Sequence, residues 1–149
     1  ELKMDSPNLK KDKNAKTLSF HITNNTTLIK RSIYSRLKEY LSDYTMVRVS
    51  IHSESSELTQ SMLIAITDKA IIKQHKNISK DKIYHIVEGI VEFNLHNNKT
   101  ILVHENEIFK LGKDTFSSMK SISNVAIYNE IISGPFDQND TIYLKESQK

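Results

Sequence analysis

The sequence predicts an all-β sandwich or barrel preceded by one α-helix, and three observations predict it. Beyond Tyr44 the chain is a succession of apolar-rich runs, each about five to eight residues long and set apart by Asn, Asp, Ser and Lys clusters, the rhythm of short antiparallel strands. Only one stretch carries a helical period. No strand alternates with a helix, which argues against a parallel α/β sheet. With 149 residues, 38% hydrophobic and 26% charged, the chain suits one domain with a core large enough to be stable alone.

In chain order, residues 1–16 are polar, Lys-rich and carry Pro7, and read as a flexible arm that buries too little apolar surface to offset the entropy of ordering. The domain is placed at 17–149. Leu18, Phe20 and Ile22 alternate with polar neighbours as a strand. Leu28, Ile29, Ile33, Leu37, Tyr40 and Leu41 then recur three and four apart, which predicts a helix over about 26–41 with Asn25 or Thr26 as its N-cap. Strands are predicted over 46–52, 60–67, 70–75, 82–88, 90–95, 100–105, 107–111, 115–119, 124–132 and 141–145. His96-Asn97-Asn98-Lys99 suits a hairpin turn, because Asn tolerates left-handed dihedrals. Three glycines and two prolines are few, so turns elsewhere must also use Asn, Asp and Ser.

Composition narrows the chemistry. The absence of cysteine removes disulfides, thiolate metal sites and thiolate catalysis, so a metal would need His, Asp or Glu. The net charge is +3 with interspersed signs, and Lys10-Lys11-Asp12-Lys13 resembles a solvated arm more than a nucleic-acid stripe. No apolar run reaches 18 residues, which excludes a spanning helix. The chain opens Glu1-Leu2-Lys3, without a Met or an export signal, and reads as starting inside a longer protein or at an artificial boundary; its expected location is the cytoplasm.

Within 46–52, period two sets Arg48, Ser50 and His52 on one face and Val47, Val49 and Ile51 on the other. Such a polar row faces solvent in an isolated strand and a ligand pocket in a barrel, and the period alone leaves both open.

A family resemblance rests on order and spacing. Arg48-x-x-x-His52 is followed by Gln60-Ser61-Met62-Leu63-Ile64-Ala65, by His75-Lys76-Asn77 through Lys82, by Glu88-Gly89, and by Asn129-Glu130 running to Gly134-Pro135-Phe136. From the helix to the C-terminus the chain resembles the WbuC-type cupin-fold proteins, small bacterial proteins often encoded with surface-polysaccharide (O-antigen) genes. The resemblance implies a cupin jelly-roll barrel, the double-stranded β-helix, with a polar pocket between its sheets. That family usually holds a divalent metal through His-x-His, a Glu five residues on and a later His. Only His75 matches here; the other positions carry Asn77, Lys82 and Ser117, next to Phe116. An amide, a hydroxyl and an ammonium are poor company for a dication, so no metal or other cofactor is expected. His21, His85, His96 and His104 do not replace the lost ligands and are expected on the surface or in ordinary hydrogen bonds.

The pocket implied by the resemblance comprises Arg48, His52, Gln60, His75, Asn77, Lys82, Tyr84, Ser117, Tyr128 and Glu130. It suits a saccharide or small acidic ligand, with Arg48 or Lys82 for an anion and Asn77 or Gln60 for hydroxyls. Lys82 and Glu130 fit equally a buried ion pair filling the metal's space. A second function is sugar-nucleotide isomerase or epimerase chemistry, with His75 as base and Tyr84 or Tyr128 as acid. A third is a structural or dimerisation module with a vestigial pocket. The expected partners are a small-molecule ligand and a second copy of the chain paired through edge strands, with no nucleic acid.

Overall fold

The computed structural model describes residues 8–145 and holds twelve strands and one helix. Strands β1 (Leu9–Lys11) and β2 (Leu18–Ile22) precede α1 (Ile33–Tyr40). Then follow β3 (Met46–Ser50), β4 (Thr59–Thr67), β5 (Ile72–Asn77), β6 (Lys82–Glu88), β7 (Val91–Leu95) and β8 (Thr100–Val103). Last come β9 (Ile108–Leu111), β10 (Ser117–Ser121), β11 (Val125–Ser133) and β12 (Thr141–Tyr143). They form a seven-stranded sheet, β1-β2-β3-β4-β11-β6-β9, and a five-stranded sheet, β12-β5-β10-β7-β8. Among the described residues only β2 and β3 pair in parallel. The sheets do not close into one continuous barrel, yet the arrangement is that of a jelly roll.

Alternation along the strands divides the buried residues into two cores. Ile64, Ile66, Tyr84, Ile86 and Tyr128 of the larger sheet meet Val91, Phe93, Val103 and Met119 of the smaller one. Val47, Val49, Leu63, Ala65 and Ile127, on the opposite face of the larger sheet, pack with Leu18, Phe20, Ile33 and Leu37. The helix thus covers the outside of the larger sheet, and the row containing Arg48 faces inward. That settles the face of the polar row.

The helix is shorter than its apolar spacing predicts. It begins at Ile33, and its N-cap, Ser32, makes no side-chain capping bond. The Thr27 hydroxyl instead donates to the Asn24 carbonyl at 3.1 Å, a local bond that competes with helix formation, and Leu28 is exposed. The arm also ends earlier than predicted. Leu9–Lys11, expected to be unstructured, pair with Phe20–Ile22 because the edge of β2 offers unsatisfied backbone groups; residues 1–7 of the arm lie outside the described residues. Turns do use Asn and Asp in place of Gly: Asn98, Asn106 and Asp114 hold φ of 62°, 66° and 60°. At Gly134, by contrast, a Cβ would fall 1.7 Å from the Glu57 carbonyl oxygen, so the Gly-Pro pair admits no larger residue.

Candidate functional site

A cavity of about 580 Å³ lies between the sheets, within the range that small-molecule sites occupy. Six of the ten residues expected in the pocket line it: Arg48, His75, Lys82, Tyr84, Tyr128 and Glu130. Strand register explains their meeting. Tyr84 stands opposite Glu130 in the β6–β11 pair, and Glu130 opposite Met62 in β11–β4. One row along, Tyr128, Ile64 and Arg48 align across β11, β4 and β3.

His75 enters from the other sheet. The β5–β10 register slips between Ser117↔His75 and Met119↔Ile72, so three positions of β5 oppose two of β10. This bulge brings both Ile72 and His75 to the cavity. It also places the Lys73 carbonyl 2.8 Å from His75 Nδ1. On the other side of the ring, Lys82 Nζ is 3.1 Å from Nε2. One tautomer satisfies both contacts: Nδ1–H donates to Lys73, and the Nε2 lone pair accepts from the ammonium. Burial, and after it the Lys82 charge, hold the imidazole below its ordinary pKa, against the opposing pull of the Lys73 carbonyl and Glu130.

Lys82 Nζ also lies 3.9 Å from Glu130 Oε1, both side chains being largely buried. The Glu130 carboxylate also acts on the Tyr84 phenol that stands opposite it across the strand pair. Burial pushes the Tyr84 and Tyr128 phenols well up, and the Glu130 charge adds to it, so both remain protonated. The expected Lys82–Glu130 pair and the expected cavity therefore coexist.

Four expected pocket residues do not line the cavity. The Gln60 amide is buried and donates to the Ser55 carbonyl at 2.8 Å, tying down the turn after β3. His52 lies beyond the end of β3, with Nδ1 3.2 Å from the Ser61 carbonyl oxygen. Asn77 donates to Asp140 at 2.9 Å, bracing β12 against β5. Ser117 is buried opposite His75 without reaching the cavity surface. In each case a polar partner or close strand packing takes the side chain that the family resemblance assigned to a ligand.

Residues not foreseen complete the wall. Met46, Met62 and Met119 all line it, together with Ile64, Ile71 and Ile72. Lys16, Lys73 and Tyr143 line it as well. Period two held the signal for the methionines, since Met46 shares the Arg48 row, Met62 the Gln60 row and Met119 the Ser117 row. The bulge that turns Ile72 inward had no such signal.

The donor set does not fit a metal. Among the described residues no group of three or more His, Asp or Glu side chains converges. The one imidazole nitrogen aimed at the cavity is already engaged by an ammonium.

No family model and no curated protein matches the chain. Solved structures do. KdgF from Halomonas sp. superposes with a TM-score of 0.55 at 14% identity, over 64% of this chain and 83% of that one. The nucleoside dehydratase Pac13 of Streptomyces gives 0.54 at 10%, over 64% and 75%. A Neisseria meningitidis protein gives 0.57 at 17%, over 73% and 100%. These are cupin-fold proteins, and the chain has the cupin fold.

Proposed function

We propose that this chain is a metal-independent cupin of the WbuC type, acting in bacterial surface-polysaccharide metabolism, that binds a small acidic ligand between its sheets. One observation carries the acidic half of this reading. The cavity is lined by four cations, Lys16, Arg48, Lys73 and Lys82, against the single carboxylate of Glu130. Low-dielectric walls strengthen that imbalance, so an anion entering is stabilised and a cation is repelled. Small molecules are also bound by fold neighbours, including Pac13, whose structure is known with uridine.

The isomerase reading has less support, because the Nε2 lone pair of His75 that would act as base is held by Lys82 at 3.1 Å. A homodimer formed through an edge strand belongs to the proposal too; β9 is one such edge and leaves Ile108 exposed.

The test is thermal stabilisation by a panel of sugar phosphates, organic acids and neutral sugars, since a ligand bound only by the folded state raises its stability, by about 2.7 kcal/mol at a hundredfold excess over Kd. Stabilisation by acids that is lost in Arg48→Met supports the reading. Stabilisation by neutral sugars alone replaces the acid with a saccharide, and no stabilisation by any compound leaves the pocket vestigial.

A further inference from the structure

The polar groups of the cavity are unevenly committed. Lys82, His75 and Glu130 already engage one another in a chain running from the Lys73 carbonyl to the Glu130 carboxylate. Arg48 does not belong to that chain. Its Nε is buried without a hydrogen-bond partner, and the side chain lines the cavity. A buried guanidinium nitrogen left without an acceptor is destabilising, and an anionic oxygen arriving there would relieve that cost.

The wall around Arg48 is apolar. Every methionine among the described residues, Met46, Met62 and Met119, lines this one cavity beside Ile64 and Ile72. Thioether chains adapt their shape to an apolar or flat group. A polyhydroxylated sugar would bury several hydroxyls against them without partners, and each such burial is unfavourable.

Resting on the reading that the cavity takes an acid, we propose that its ligand is amphipathic: a carboxylate or phosphate held at Arg48, joined to an apolar or planar body seated on Met46, Met62 and Met119. The body, as much as the charge, sets the affinity. A hydroxylated acid of the same charge is discriminated against because the hydroxyls it lays on the methionines lose water and gain no partner.

Isothermal titration and thermal shift with four probes test this: 1-naphthoate, acetate, inorganic phosphate and glucuronate. The expected result is a single 1-naphthoate site, at least tenfold tighter than for the other three. Arg48→Met is expected to weaken 1-naphthoate at least tenfold. Met62→Ser is expected to weaken 1-naphthoate while leaving acetate within twofold, and circular dichroism confirms that both variants fold. Glucuronate binding more tightly than 1-naphthoate would overturn the inference and leave the acidic-ligand reading standing. So would 1-naphthoate binding that neither substitution changes. No binding of any probe would overturn both.

Discussion

Lys82 Nζ sits 3.1 Å from His75 Nε2, on the side of the ring opposite the Lys73 carbonyl that fixes it. An ammonium thus takes the imidazole lone pair that a metal would need, with the Glu130 carboxylate 3.9 Å away as its counter-charge. Lys82→Glu exchanges the resident cation for a donor and leaves His75, Glu130 and the introduced carboxylate around one point, the count of protein ligands found in open zinc sites. The expected outcome is a new stoichiometric Co(II) or Zn(II) site in Lys82→Glu, visible by Co(II) absorbance and absent in Lys82→Glu/His75→Ala and in Lys82→Met. A stoichiometric metal in the unmodified protein, removed by chelator and lost with His75→Ala, would contradict the assignment of Lys82.

The same geometry fixes the cost of removing one charge. Lys82→Met leaves the Glu130 carboxylate largely buried without its counter-charge. Truncating one member of a buried pair costs about 3–5 kcal/mol, and replacing both by uncharged residues of similar size costs far less. Urea unfolding is expected to show Lys82→Met near the lower bound, given the long 3.9 Å separation, and Lys82→Met/Glu130→Gln recovering more than half of the loss. Equal stability of the single and double variants would show that the pair is not coupled.

How much of this was legible in the sequence follows from which signals are local. Period-two alternation is local, so the strand over 82–88 coincides with Lys82–Glu88; that Arg48, Tyr84, Tyr128 and Glu130 face inward came from the family resemblance, because alternation assigns a face without saying which face is buried. The predicted strand over 115–119 lies two residues before Ser117–Ser121, a shift that keeps the same side chains inward. What alternation cannot supply is the partner of each inward polar group. Asn77 and Gln60 have the right parity, but Asp140 and the Ser55 carbonyl claim them from 63 and five positions away. The bulge between Ile72 and His75 is a mismatch of two strands, so neither strand's sequence announces it.

Acid should weaken the fold in a window set by His75. Its imidazole is held below the ordinary value near 6.5, first by burial and then by Lys82. Between the folded and unfolded values the unfolded chain binds more protons, so stability is fully present above about pH 6.5 and falls as pH drops through that window. One proton sets the limit of the slope, about 1.4 kcal/mol per pH unit. Urea midpoints between pH 7 and pH 5 are expected to fall in the unmodified protein and to fall less in His75→Gln, which keeps a polar group but cannot charge. Identical slopes for the two would remove His75 from the account.

Asp140 controls a lower window and a different part of the molecule. Its carboxylate is buried and accepts from the Asn77 amide at 2.9 Å, the Ser79 backbone N–H at 2.8 Å and the Ser79 hydroxyl at 2.6 Å. Burial raises its pKa, but the bonds from Ser79 and Asn77 outweigh it, and the net position is below the ordinary value of 3.8. The stability Asp140 contributes is therefore present above about pH 4 and is lost as pH falls through the depressed value. Because Asp140 immediately precedes β12, the three bonds also hold that edge strand on β5, beside the cavity residue Tyr143. Asp140→Ala is expected to cost about 2–4 kcal/mol in urea unfolding, since hydrogen bonds to a charged group contribute roughly 1.5–3 kcal/mol each and do not add fully. Hydrogen exchange is expected to accelerate first at Thr141–Tyr143 and at β5, ahead of β4 and β11. Uniform acceleration across both sheets would mean that Asp140 stabilises the whole core and does not act as a clamp on its edge.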